Sequence, residues 1–222
     1  MSNALRLVML GPPGAGKGTQ AQILERRYGV RQISTGDILR RHRAEKTPLG
    51  LEAQPYMDRG DLVPDSIIIG MMESDLPRDR GFVLDGFPRT VPQAQALDEM
   101  LARLGIPLTL VLLFECEREE LIKRLTGRWT NPRTGRVYHA IYNPPQTPGV
   151  CDEDHGPLVQ RADDTLETVT RRLDVYERET APLIDFYAKT GLLARIDAMQ
   201  AVDEVTGQIV QAIQSHGGVA VS

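Results

Sequence analysis

The apolar positions of this chain recur with two different periods. Leu5–Leu10, Arg80–Leu84, Leu108–Phe114 and Leu192–Ile196 each hold apolar residues at nearly consecutive positions, and Val30–Ile33 is a shorter run of the same kind. Such runs mark strands covered on both faces, as in a parallel sheet. Between them the spacing becomes helical: Lys17–Tyr28, Gln93–Leu104, Glu117–Thr126 and Val202–Ile213 read as helices. Asp164-Thr165-Leu166-Glu167 has the form of a capping box, and it opens a long helix with apolar positions at Leu166, Val169, Leu173, Tyr176 and Leu183. Pro182 should kink or end that helix. Strand and helix alternate, which predicts a three-layer α/β fold: a five-stranded parallel sheet, helices on both faces, and ligands beyond the carboxyl ends of the strands.

Two segments interrupt the alternation. Residues 34–63 start on the capping residues Ser34-Thr35-Gly36-Asp37 and hold short helical stretches broken by Pro48, Gly50, Pro55 and Gly60. Residues 127–164 have no helical period but carry the β-like stretch GRVYHAIYNPP, which argues for a folded lid. The core is therefore expected in 1–33, 64–126 and 165–222, with two inserted mobile subdomains and a soft tail after His216.

Charge adds little at the scale of the chain. A net charge of −4 over 222 residues gives no general attraction to nucleic acid or to an anionic membrane, although Lys123, Arg124, Arg128, Arg133 and Arg136 gather locally. Two cysteines make no disulfide framework, and Cys116 is expected to be a small buried thiol. No apolar run reaches the ~20 residues of a membrane span, and MSNALRLVML leads directly into a strand, so the expected location is the cytoplasm.

The chemistry starts where the first strand ends. Gly11-x4-Gly16-Lys17, between a strand and a helix, is a P-loop: residues without a Cβ let successive backbone N–H groups face one anion at a helix N-terminus, with a lysine beside it. Gly18 stands where most P-loops carry Ser or Thr, and the hydroxyl comes one place later, at Thr19. In this, GPPGAGKGTQ resembles the P-loop of the adenylate kinase family, and STGDILR, DGFPRT, GRVYH and NPP resemble further motifs of that family in the same order.

The resemblance implies roles for individual residues. Gly14, Ala15, Gly16, Lys17, Gly18, Thr19, Arg128, Val137, Tyr138 and Gln200 would hold ATP, Gln200 through main chain. Thr35, Arg40, Asp61, Leu62, Val63, Gly86, Phe87, Pro88, Arg89, Gln93, Arg161 and Arg172 would hold AMP, with Gln93 on the adenine edge. Simple packing is an equal reading for Leu62 and Val63. Asp85, at a strand end beside the P-loop, would hold Mg²⁺ through water. Arg171 reads as ordinary surface charge. Long-lid members of the family often close the lid with zinc on four cysteines, but the corresponding places here are Asn131, Thr134, Cys151 and Asp154. One thiolate is a poor zinc set, so a hydrogen-bonded cluster is expected without zinc; His139 and His155 leave a mixed Cys/His/Asp site as the alternative.

Lys17, Arg40, Arg89, Arg128, Arg161 and Arg172 are the catalytic candidates. Six cations suit a donor triphosphate and an acceptor monophosphate held together, more than one phosphate chain alone asks for. The resemblance implies a monomeric Mg²⁺-dependent enzyme of adenine nucleotide homeostasis that interconverts ATP plus AMP with two ADP. The alternatives are another nucleoside monophosphate kinase (GTP:AMP or UMP/CMP), or a P-loop switch without catalysis; the NKxD base-reading motif of a GTPase is absent from the sequence.

Overall fold

A computed structural model describes residues 4–216. Five strands, β1 (Arg6–Leu10), β2 (Arg31–Ser34), β3 (Phe82–Asp85), β4 (Leu110–Glu115) and β7 (Leu193–Asp197), form a sheet in the order β2-β3-β1-β4-β7. Every pairing is parallel. The continuous apolar runs have the cause expected of them, because alternate residues of β1 enter different cores. Val8 and Leu10 pack with Ile33, Leu84, Val111 and Leu113 on one face, and Leu7 and Met9 with Val83, Leu112, Phe114 and Ile196 on the other.

The helices α1 (Lys17–Tyr28), α6 (Arg118–Thr126), α7 (Leu166–Val175) and α9 (Val202–Ser215) cover the second face. The first face is covered by α2 (Thr35–Ala44), α3 (Pro48–Arg59), α4 (Asp65–Asp75), α5 (Val91–Leu104) and α8 (Pro182–Ala188). Register brings Met9, Ser34 and Asp85 side by side at the carboxyl edge of the sheet. The site is built along that edge.

Several sequence expectations shift. The strands expected at 30–33, 80–84, 108–114 and 192–196 each begin and end one or two residues later. Residues 34–63 hold two full helices rather than broken stretches. Pro48 sits in the first turn of α3, where its missing N–H has no partner to lose, and Pro55 lies inside that helix without ending it. Gly50 is needed for packing: a Cβ there would come within 2.2 Å of the His42 carbonyl oxygen, so α3 could not lie against α2. Helix α4 had no sequence expectation; Ile67, Ile68, Ile69, Met71 and Met72 are apolar at adjacent positions and show no helical stripe.

Leu166 is 60% exposed and not on the packed face of α7, which Val169 and Leu173 supply. Ahead of Pro182 the helix loosens into a π-helical turn, Tyr176–Thr180, and α8 starts at the proline. Cys116 is only half-buried, just beyond β4, with Sγ 3.5 Å from Met199 Sδ. Residues 127–164 contain a two-stranded antiparallel ribbon, β5 (Arg128–Thr130) with β6 (Val137–His139), and a small core of Tyr138, Cys151 and Leu158. The tail expected after His216 lies outside the described residues.

Candidate active site

Between β1 and α1 the chain turns through the glycine loop, with Gly16 as the helix N-cap. Lys17 folds back across that loop, its Nζ donating to the carbonyl oxygens of Gly11 and Pro12 at 2.7 Å each. Burial lowers its pKa from 10.5 to about 8, and Arg89, Arg172 and Arg128 push the same way against the attraction of Asp85. A Cβ on Gly18 would stand 3.4 Å from Asp85 Oδ2. The Asp85 carboxylate therefore faces the head of α1.

Beside it lies a second set. Ser34 caps α2 by accepting from the Asp37 N–H at 3.2 Å, and Arg40 pairs with the Asp37 carboxylate one turn on. Thr35 Oγ is buried and donates to the Gly86 carbonyl at 2.8 Å; that carbonyl also accepts from Arg89 Nε at 2.9 Å. Gly86 has φ +83°, and a Cβ there would meet Thr35 Oγ and Arg89 Nη2 within 3 Å, so this crossing accepts only glycine. Phe87 is buried in the first core and precedes Pro88 through a cis peptide bond. A pocket opens here, with Leu39, Met57, Leu62, Val63 and Ile68 as its apolar wall and Arg40, Arg89, Gln93 and Arg172 as its polar one. Loss of hydration within the cleft pushes Arg89 down to about 10 although its side chain still reaches solvent, and Arg172 and Arg40 add to it against Asp85 and Asp163.

The remaining arginines come from residues 127–164 and α7. Arg128 grips the buried Asp164 with two hydrogen bonds, Nε to Oδ2 at 2.8 Å and Nη2 to Oδ1. Arg172 Nη1 meets Asp163 Oδ2 at 3.0 Å and Asp164 Oδ1 at 3.3 Å. Arg161 comes within 4.0 Å of Asp37 and is held near 10, first by burial and then by Arg128 and Arg40. The structure thus gathers Lys17, Arg40, Arg89, Arg128, Arg161 and Arg172 around one cleft. Burial alone would raise the Asp163 pKa, but Arg172, Arg40, Arg128 and Arg161 bring it below its ordinary value.

Sequence reasoning missed Asp163 and Asp164, reading Asp164 as part of a helix cap. The cap is Thr165, which accepts from the Thr168 N–H at 3.3 Å, leaving Asp164 for the arginines. Arg171 is also more than surface charge: it makes a two-bond bridge to Asp61, at 2.8 and 3.0 Å, joining the middle of α7 to the end of the 34–63 segment.

The residues assigned to the donor base are less uniform. Tyr138 is 1% exposed, its hydroxyl pointing at Cys151 Sγ (3.5 Å) and accepting from the Asp152 N–H (2.8 Å), which leaves only its backbone for a nucleotide. Val137 precedes it on β6, and the Gln200 side chain is turned to Asp197 at 2.8 Å. The turn 197–200 is anchored by a residue that carried no sequence assignment: Arg124 Nη1 donates to the Ala198 carbonyl at 2.8 Å and Nε to Glu120 at 2.7 Å. Its signal was the local run of basic residues.

Asn131, Thr134, Cys151 and Asp154 lie in one polar network. Asn131 Nδ2 donates to Asp154, Arg133 Nε donates to Asp154 Oδ2 at 2.7 Å, and the Thr134 N–H reaches Asn131 Oδ1 at 3.2 Å. The Cys151 thiol, the Gly156 N–H and Arg133 hold the Asp154 carboxyl well below the usual carboxylate range. Among the described residues no group of three or more His, Cys, Asp and Glu side chains could hold a metal ion. His139 accepts N–H groups from Ile141 and Tyr142. No described helix is long and apolar enough to cross a membrane.

Comparison with known proteins bears on these geometries. The family model described as "Adenylate kinase" matches residues 9–192. An adenylate kinase of Carboxydothermus hydrogenoformans is 54% identical over 213 residues, covering 95% of this chain and all of its own. One of Acidothermus cellulolyticus is 53% identical over 213 residues (95% of this chain, 98% of its own), and one of Bacillus subtilis 49% over 208 residues (92% and 96%).

Proposed function

The chain belongs to the adenylate kinase family, and from that premise we propose which of its residues carry the family's reaction. It is a phosphotransferase that interconverts ATP plus AMP with two ADP.

We assign the donor phosphates to the backbone N–H groups of residues 14–19 and to Lys17, at the N-terminus of α1, where the helix dipole and unpaired N–H groups favour an anion. The acceptor phosphate goes to Arg40 and Arg89, at the mouth of the apolar pocket that would take the AMP base. Arg128, Arg161 and Arg172 lie around the same cleft and would follow charge as it spreads onto the transferring oxygens. No general base is required, because the attacking phosphate oxygen is already ionised. The observation that carries this assignment is the crowding of six cations, several with lowered pKa values, around four carboxylates, Asp37, Asp85, Asp163 and Asp164. Such a set lacks negative charge that two phosphorylated substrates would bring.

Mg²⁺ fits the donor set. It keeps most of its waters and takes one or two carboxylates plus substrate phosphate, and Asp85 offers a carboxylate beside Gly18. When bound it would neutralise charge on the donor phosphates. Residues 34–63 and 127–164 are proposed as subdomains that close over the nucleotides and exclude water, which would otherwise take the phosphoryl group. We further propose a cytoplasmic monomer without structural zinc.

The test is a coupled assay of ADP formation from MgATP with AMP, UMP, CMP or GMP as acceptor, run beside Arg89→Ala. Activity with AMP alone, falling about 10²-fold or more in the variant, is the expected result. A pyrimidine acceptor working as well as AMP, or an unaffected variant, would overturn the acceptor assignment.

A further inference from the structure

We propose that Asp65 determines which purine the acceptor pocket takes, by fixing the orientation of the Gln93 amide; the inference rests on reading that pocket as the AMP site. Gln93 is 2% exposed and lines the pocket beside Leu39, Leu62 and Val63. A side-chain amide presents a donor and an acceptor next to each other, and a half-turn about its last torsion exchanges them. Here two neighbours choose. Oε1 accepts from the backbone N–H of Arg89 at 2.8 Å, a group that can only donate. Nε2 donates to Asp65 Oδ1 at 2.7 Å.

Asp65 is committed as an acceptor on its other side too. Its Oδ2 accepts from Thr90 Oγ at 2.9 Å, and that oxygen in turn accepts from the Gln93 backbone N–H at 3.3 Å. Turning the amide over would set N–H against N–H at Arg89 and carbonyl against carboxylate at Asp65. Both bonds would be lost together, so the amide has one orientation.

What it still offers is one N–H of Nε2 and one lone pair of Oε1. Adenine shows an amino donor at position 6 beside an acceptor at N1, whereas hypoxanthine and guanine show an oxygen acceptor beside an N1–H donor. An amide matches adenine in one orientation and a 6-oxopurine in the other, as in the pairing of Gln with adenine in nucleic-acid recognition. The wrong purine then leaves buried polar groups opposed, and that kind of mismatch discriminates strongly. Asp65 touches no substrate in this account and acts as a positioning residue.

The experiment measures kcat/KM for AMP and for IMP, at saturating MgATP, in the wild type, Asp65→Ala and Asp65→Asn, with folding checked by thermal melting. IMP differs from AMP only along the edge in question. Asp65→Ala should narrow the AMP-to-IMP ratio about tenfold or more, the scale of one charge-assisted hydrogen bond, with KM for ATP unchanged. Asp65→Asn keeps an acceptor for Nε2 but a neutral one, and should fall between alanine and wild type. A ratio within about twofold of wild type in Asp65→Ala, or in Asp65→Asn where the alanine variant does not fold, overturns the proposal. So does an equal loss with both purines, which would mean that Asp65 only supports the first turn of α4. No transfer to AMP by the wild type would remove the AMP reading and this inference with it, a failure distinct from one seen only in the variants.

Discussion

Lys17 carries its positive charge against its surroundings. With the pKa held near 8, its protonation changes in mildly alkaline solution. The free enzyme's kcat/KM for ATP should therefore fall as pH rises through about 8, while kcat, measured with phosphates bound and the charge restored, should hold to higher pH. A pH–rate profile of both quantities tests this; a flat kcat/KM up to pH 9.5 would contradict it. The linkage has the matching sign. Between about 8 and 10.5 the unfolded chain binds a proton at this lysine that the folded chain does not, so stability without nucleotide rises with pH across that window, and Lys17→Met should remove the slope. Lys17 was visible in the sequence because a P-loop has a fixed spacing. Asp163 and Asp164 were not, because carboxylates that only orient arginines follow no spacing of their own; their partners Arg128 and Arg172 come from residues 36 and 9 positions away.

At the scale of elements, legibility followed periodicity. The five strands and helices α1, α5, α6 and α9 could be read because their apolar residues repeat, whereas α4 is apolar on adjacent positions and gave no period to find. Segment 127–164 was readable as a folded unit from its β-like stretch, yet its internal bonding was not, since Asn131, Arg133 and Asp154 meet only after the chain has turned back on itself. That network leads to a prediction about how the element is held. Asp154 accepts from Asn131, Arg133 and the Gly156 N–H, with its pKa below the ordinary carboxylate value of 3.8. Its contribution is therefore complete above that value, and declines only as pH falls below it toward the folded pKa. Asp154→Ala should lower the melting temperature and make 127–164 the first segment cut by protease, while a chelator leaves wild-type melting unchanged. A chelator-induced drop together with stoichiometric zinc in the purified protein would show the network to be a metal site instead.

Across the whole molecule, the cations come from parts of the chain that need not stay together. Lys17 and Arg89 stand on the sheet edge, Arg40 on the 34–63 segment, Arg128 and Arg161 on the 127–164 segment, and Arg172 on α7. Without anions their mutual repulsion opposes the close approach of these parts, and it adds to the loss of hydration, the larger cause, in lowering the values of Lys17, Arg89, Arg161 and Arg172. Phosphates reverse the sign, and closure would follow from binding rather than precede it. Folding and function therefore conflict at this cleft, and Arg89 is where the conflict is most testable. Its side chain reaches solvent from within the cleft, and Arg172 and Arg40 act against its charge while Asp85 and Asp163 favour it. Arg89→Met keeps most of the side-chain length and removes the charge, at the loss of the 2.9 Å bond from Nε to the Gly86 carbonyl. The variant without ligand should melt higher than wild type, by about 2–4 °C for each kcal/mol of repulsion relieved in a chain of this size. AMP should then raise its melting temperature far less than it raises that of the wild type, because the charge that the acceptor phosphate would neutralise is gone. A lower melting temperature without ligand would mean that the Gly86 bond and the packing of Arg89 outweigh the repulsion. In that case the arginine cluster is held closed by its carboxylates even before substrate arrives.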